Sequence, residues 1–329
     1  MYLLSNRAAI GASLAAAAAL LLTSSCSQSR HAPDEKYVLV TTNTKLLYWQ
    51  AAAKGLSESA ARLGVKADMV GPETYSPTEQ RDAFRKAVAS KPSGIMVSAA
   101  DPQLLNDDIN SAIASGIPVI TMDSDAPASK RLMFVGTNNY QAGVMGGRKL
   151  VQKLGRKGNV VVFTIPAQGN LIDRLRGYQD AIAGTEIKII QTVDIQGNAA
   201  LAFDKMTELM EKSKLQIDAF VCTEATAGAQ VAEVLDRKKQ TGKTIIAMDA
   251  DDETLKWIEK GAIAATIGQK PYTMAFYGLH VLDDLHHNVP KPLDGDWVKA
   301  LESPVPAGVD TGSSLIDQSN VGLFRKPGK

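Results

Sequence analysis

Histidine and cysteine are nearly missing from this chain of 329 residues, which carries 4 of the first and 2 of the second. So few histidines, so badly spaced, do not point to a dedicated metal centre: His286 and His287 are neighbours on a predicted helix, point about 100° apart at ordinary helical geometry, and are expected to face solvent. Charge of one sign is also lacking. Lys and Arg number 36 against 35 Asp and Glu, so no field gathers a polyanion, and nucleic acid is not an expected partner. No Gly-x-x-x-x-Gly-Lys-Ser/Thr phosphate loop, no Gly-x-Gly-x-x-Gly after the first strand and no Gly-x-Ser-x-Gly elbow occurs, so neither a nucleotide cofactor nor a serine nucleophile is indicated. No cofactor is expected. With 45% hydrophobic and 22% charged residues the chain is neither disordered nor membrane-embedded, and its length favours two lobes over one core.

One apolar run interrupts this pattern. Residues 8–22 are alanine- and leucine-rich, too short for a comfortable membrane span but suited to a signal-peptide core, and Thr23-Ser24-Ser25 lead to Cys26. Leu22-Thr23-Ser24-Ser25-Cys26 resembles a bacterial lipoprotein signal, with leucine four positions before the cysteine in place of three. The resemblance implies a leader over 1–25, lipid on Cys26 and a polar tether over 26–36. A lipidated Cys26 leaves Cys222 without a disulfide partner, and Cys222 reads as a small core residue near a strand end.

From Tyr37 onward short β-rich apolar runs alternate with amphipathic stretches, the pattern of a parallel sheet covered by helices. Strands are predicted over 37–41, 65–70, 94–98 and 118–122, with helices over 49–63, 78–90 and 104–115. Gly64 and Gly116 stop two of these helices. The programme then restarts, with strands over 159–164, 187–193, 218–222, 244–248 and 263–267 and helices over 172–183, 200–212, 226–240, 253–260 and 271–287. The repeat is visible in residues as well as in pattern. Ile120-Thr121-Met122-Asp123-Ser124-Asp125 returns as Ile246-Ala247-Met248-Asp249-Ala250-Asp251, 126 positions later. Two similar Rossmann-like α/β lobes are expected. Ligands of such sheets bind beyond the carboxyl ends of the strands, where Asp123 and Asp249 fall. The other reading of these acids is that each caps the helix after it, while Asp251-Asp252 and Asp283-Asp284 read as helix-start and surface charges. The lobes are expected over 37–136 with 270–303, and over 137–269 with 304–317. Hinge crossings are placed near 136–139, 268–271 and 303–306, and a loose tail at 318–329.

Gly261-Ala262-Ile263-Ala264-Ala265-Thr266-Ile267-Gly268-Gln269-Lys270-Pro271, Ile117-Pro118-Val119-Ile120-Thr121-Met122-Asp123, Asp173-Arg174-Leu175-Arg176-Gly177-Tyr178 and Ile245-Ile246-Ala247-Met248-Asp249 follow one another in order. Together they resemble the periplasmic sugar-binding proteins of the ribose-binding type, the solute receptors of ABC importers, whose fold is periplasmic binding protein type I. The resemblance implies direct ligand contact by Asp123, Arg174, Asp249 and Gln269. Carboxylates accept from vicinal hydroxyls and a guanidinium donates in a planar fork, which suits a sugar. Tyr48 and Trp49 fall where the family carries aromatics that stack on the ring. Thr42-Asn43-Thr44-Lys45, Ser98 and Ser124 depart from the ribose receptors, while Lys45, Gly71-Pro72, Asp123-Ser124-Asp125 and Asp173 resemble the autoinducer-2 and rhamnose branch. Arg174 and Thr223-Glu224 depart from that branch in turn. Lys45, Asp173 and Glu224 join the expected site, with Thr42, Ser98, Ser124, Asn198 and Thr223 as secondary members. The implied protein is a monomeric, extracytoplasmic lipoprotein, in the periplasm or on the outer cell surface, that hands a sugar or polyol to a permease. A sensor lipoprotein reporting to a signalling receptor is the alternative. A sugar-modifying enzyme using Asp123 and Asp249 as acid and base is less favoured.

Overall fold

A computed structural model describes residues 31–325. The leader, Cys26 and the first part of the tether lie outside the described residues. The chain divides into two compact units, Met1–Asp34 and Glu35–Lys329, and the account below concerns the second. The tether is shorter than expected, because Glu35 is buried and Lys36 already belongs to the first strand.

The first half runs β1 (Lys36–Val40), α1 (Leu47–Leu63), β2 (Lys66–Val70), α2 (Pro77–Ala89), β3 (Gly94–Val97), α3 (Pro102–Ala114), β4 (Val119–Met122) and β5 (Phe134–Gly136). Strands β3 and β4 are buried along their whole length, as strands with helices on both faces must be. Their side chains still alternate: Tyr37 and Leu39 pack with Trp49 and Met96 on one face, while Val38 and Val40 pack with Phe84 and Ile95 on the other. Ser76 and Asp101 cap α2 and α3 through their side chains, each followed by proline in the first turn. Gly64 ends α1 at φ 76°.

The second half repeats the scheme: α4 (Asn139–Leu154), β6 (Lys157–Thr164), α5 (Gly169–Ile182), β7 (Glu186–Asp194), α6 (Ala199–Lys212), β8 (Ala219–Cys222), α7 (Ala227–Arg237), β9 (Thr244–Met248), α8 (Asp252–Glu259) and β10 (Ala265–Gly268). Helix α9 (Pro271–His287) and strands β11 (Gly308–Asp310) and β12 (Ser314–Ile316) follow. The sheet orders are β11-β5-β4-β3-β1-β2 and β12-β10-β9-β8-β6-β7, one the image of the other. Neighbours are parallel except β10 and β12. The matching strands β4 and β9 carry Asp123 and Asp249 at their carboxyl ends.

The chain passes between the sheets at 137–138, 269–270 and 311–313. The first two lie within 136–139 and 268–271. The third lies later than 303–306, because β11 pairs with β5 in the first sheet before β12 joins the second. Residues 304–317 therefore contribute to both lobes, not to the second alone. Strand β5 and helix α4 had no separate prediction, and α4 packs on α5, β9 and β10. The tail is docked as far as 325: Val321 is buried, and Arg325 pairs with Glu259. Cys222 is a buried free thiol at the end of β8. Asp283 is buried as well, which corrects its reading as a surface charge, and His286 and His287 are only partly exposed.

Candidate functional site

Asp123 and Asp249 line one cleft between the two sheets. Each leaves its strand in the left-handed region, at φ 65° and 69°. Each donates its backbone N–H to the next strand, Asp123 to Val135 O at 3.1 Å and Asp249 to Ile267 O at 2.9 Å. The Asp123 carboxylate accepts from Tyr48 Oη at 2.7 Å and from Ser98 Oγ at 2.9 Å. Asp249 Oδ1 accepts from Gln269 Nε2 at 3.0 Å. Burial raises the pKa of both acids against the pull of Arg174, and Asp249 is pushed up to about 7. The second acid of each repeat is structural instead. Asp125 forms a bidentate pair with Arg131 and accepts from Thr121, while Asp251 caps α8 through Glu253 N and Thr254 N.

Arg174 is 2% exposed, yet three neutral acceptors hold its guanidinium. Nε donates to Asn139 Oδ1 at 2.9 Å, Nη1 to Thr223 O at 2.8 Å and Nη2 to Gln269 Oε1 at 2.8 Å. The positive charge is thus positioned without being neutralised by a contacting carboxylate. Glycines set its height. A Cβ on Gly143 of α4 would lie 2.0 Å from Arg174 O, and one on Gly177 of α5 would lie 2.2 Å from Tyr140 O, so the two helices meet backbone to backbone.

Tyr48 and Trp49 open α1 in an edge-to-face pair with centroids 5.1 Å apart. Trp49 donates Nε1–H to Thr42 Oγ1 at 3.0 Å and is almost wholly buried, so it serves the core as well as the cleft wall. Burial, with Asp123 beside it, holds the Tyr48 hydroxyl well above the usual tyrosine range. Opposite, the loop before α6 meets the first lobe: a Cβ on Gly197 would lie 2.8 Å from Tyr75 Cβ. The lobes therefore touch at this rim, around a narrow cleft that is partly open to solvent.

Of the expected residues, Thr42, Tyr48, Trp49, Asp123, Arg174, Glu224, Asp249 and Gln269 line this cleft. Glu224 spends its carboxylate on Thr226 and Ala227 at the start of α7, and burial raises its pKa. Ser98 and Thr223 stand behind the wall, the first holding Asp123 and the second Arg174. Ser124 is fully buried beneath the strand end. Lys45 is instead exposed beside Glu73, Asp173 pairs with Arg176 on the surface, and Asn198 caps α6. Each has a solvent or helix-end role that outcompetes the cleft. The sequence reading missed Tyr75, Gln168 and Asn170. Asn170 is 5% exposed, and its Oδ1 meets no donor among the described residues. The signal for it was the amide-rich Gln168-Gly169-Asn170 just past the end of β6.

Comparison with known proteins places this architecture. The D-allose-binding periplasmic protein of Escherichia coli (strain K12) is 24% identical over 261 residues, 76% of this chain and 84% of that protein. A solved sugar-binding protein of a sugar ABC transporter from Bacillus halodurans shares 32% identity at a TM-score of 0.75, covering 89% of this chain and 100% of its own. The arabinose binding protein AraP from Geobacillus stearothermophilus shares 33% at a TM-score of 0.73, with the same coverage. The family profile described as a periplasmic binding protein domain matches residues 37–287, and the chain belongs to that family.

Proposed function

We propose that this protein is a sugar receptor of an ABC importer, which binds its ligand between Asp123 and Asp249 and presents the closed form to a permease. The observation that carries the reading is the pairing of these two acids, one from each lobe, in one cleft beside an un-neutralised Arg174. Acceptors on two sides, a donor fork on a third and aromatic wall from Tyr48 and Trp49 match a small polyhydroxylated ring. Gln269 sits in a crossing and bonds to both Arg174 and Asp249, so hinge closure and ligand contact meet in one side chain.

Importer delivery is supported by the transporter context of the B. halodurans structure and by the binding, not catalytic, character of the relatives. Anchoring through lipid on Cys26 is part of the proposal and rests on the likeness of Leu22-Thr23-Ser24-Ser25-Cys26 to a lipoprotein signal; no helix among the described residues is long and apolar enough to cross a membrane. The monomeric state is part of the same proposal.

Calorimetric titration of the protein with pentoses, hexoses, deoxyhexoses and polyols tests the reading. One saturable site for at least one of them is expected. Silence across all four classes would sink it.

A further inference from the structure

A second cluster of ionisable groups lies at the opposite edge of the first sheet. The cleft is beyond the carboxyl ends of the strands, whereas Glu35 immediately precedes β1, at the amino ends. The last turns of α9 bring Asp283, His286 and His287 to it. Glu35 is 7% exposed and Asp283 2%. A carboxylate so far from water needs a positive partner or a full set of donors, and Glu35 Oε2 meets no hydrogen-bond donor among the described residues.

Its other oxygen faces imidazole nitrogen. His287 Nε2 lies 3.1 Å and His286 Nε2 3.7 Å from Glu35 Oε1, so two rings on neighbouring positions of the last turn of α9 converge on one oxygen. The tautomer of His287 follows from its other nitrogen. Nδ1 lies 2.8 Å from Asp283 O, a carbonyl that can only accept, so Nδ1 carries hydrogen. With Nδ1–H fixed, Nε2 faces the Glu35 carboxylate in one of two ways: as N–H in the imidazolium, or as a lone pair in the neutral ring, where a metal cation between the two would satisfy both. Nδ1–H on a backbone carbonyl with Nε2 directed at a site is how metal-binding histidines are held. Glu35, Asp283 and His287 each offer a ligand atom within 4.8 Å of the others. Tyr37 Oη donates to Asp283 Oδ1 at 3.2 Å and orients it. Ligands on a tetrahedral ion stand about 3.3 Å apart, so small side-chain rotations close this set of three.

We propose that Glu35, Asp283 and His287 form a Zn²⁺-type metal site that clasps the start of β1 to the end of α9. Mixed imidazole and carboxylate donors select Zn²⁺, Co²⁺ or Ni²⁺ over Ca²⁺ and Mg²⁺, which take oxygen alone. The site is remote from the sugar cleft and independent of it.

Titration of the full chain with ZnSO₄ at neutral pH, by calorimetry and thermal melting, tests the assignment, with CaCl₂ as control. One Zn²⁺ per chain and a raised Tm are expected, with no response to Ca²⁺. Glu35→Gln and His287→Gln should each weaken Zn²⁺ binding at least tenfold and leave sugar affinity unchanged. Absence of saturable Zn²⁺ binding, or binding of equal strength in His287→Gln, would overturn the proposal. So would a cluster that a proton alone satisfies, seen as a Tm that responds to pH but not to Zn²⁺.

Discussion

Asp123 and Asp249 share one backbone conformation, φ 65° and 69°, at the ends of strands that occupy the same place in their two sheets. L-residues avoid this region at a cost of about 1–2 kcal/mol, and aspartate is among the few that tolerate it. Its presence at both equivalent positions turns a carboxylate off each strand end and into the cleft. Asparagine tolerates the same conformation, so Asp249→Asn removes the charge without disturbing the turn. We expect sugar affinity to fall about ten- to a hundredfold, the worth of a charged hydrogen bond, with Tm held or raised because a desolvated carboxylate is gone. Titration and melting of the variant check both; unchanged affinity would remove Asp249 from the site.

The pKa of Asp249 makes binding a proton-linked event. Burial holds the group at about 7, against 3.8 for the ordinary carboxyl. Between those values the folded protein binds the proton and the unfolded chain does not, so this residue lowers stability as pH rises through the window, the reverse of a salt-bridged aspartate. Sugar hydroxyls donate to the ionised form. Ligand should therefore expel a proton near pH 7, and affinity should weaken as pH falls below it. Binding enthalpies measured in two buffers of different ionisation enthalpy must differ; identical values would contradict the linkage.

Arg174→Lys tests the guanidinium fork. A lysine offers one point charge where Asn139, Thr223 O and Gln269 now receive three directed bonds. Binding should drop more than tenfold, and Tm should fall as buried acceptors lose their donors. Retention of affinity in this variant would show that charge alone suffices.

Gly143→Ala tests how Arg174 is placed. The added carbon would meet Arg174 O at 2.0 Å, so α5 must shift and carry the guanidinium with it. Gly143 lies outside the cleft lining, yet affinity should fall by tenfold or more. An unaltered titration curve would mean the helices can separate without moving the site.

Gly197→Ala tests closure. Its Cβ would press on Tyr75 at 2.8 Å, and its φ of 62° disfavours any side chain. The rim contact between lobes is lost, so the ligand-induced compaction seen by small-angle scattering should shrink and affinity should weaken with it. Full compaction would place the closing contact elsewhere.

The duplicated strands were legible because burial on both faces leaves short, nearly unbroken apolar runs, and the repeat of Met-Asp-x-Asp doubled the signal. Strand β5 was not, since three residues without alternation carry no period, and helix α4 spends its inner face on glycines that look like loop residues in a sequence. Asp123, Arg174, Asp249 and Gln269, which the resemblance singles out, line one cleft. Lys45 and Asp173 do not, because loop and helix-surface charges are placed by solvent and by neighbours such as Glu73 and Arg176, which no local pattern encodes. The histidines at 286 and 287 mislead for a different reason. Ideal helical angles separate their Cβ directions, but both Nε2 atoms come within 3.7 Å of the same Glu35 oxygen.

Only residues 311–313 separate strands β11 and β12 in the chain, yet each completes the edge of a different sheet. Neither lobe is thus a contiguous stretch of sequence, and a stop codon before residue 308 would strip an edge from both at once. Recombination that exchanges a whole lobe between two such receptors needs breakpoints at all three crossings. A single-crossover chimera inherits mismatched edges, which restricts how members of this architecture can trade halves.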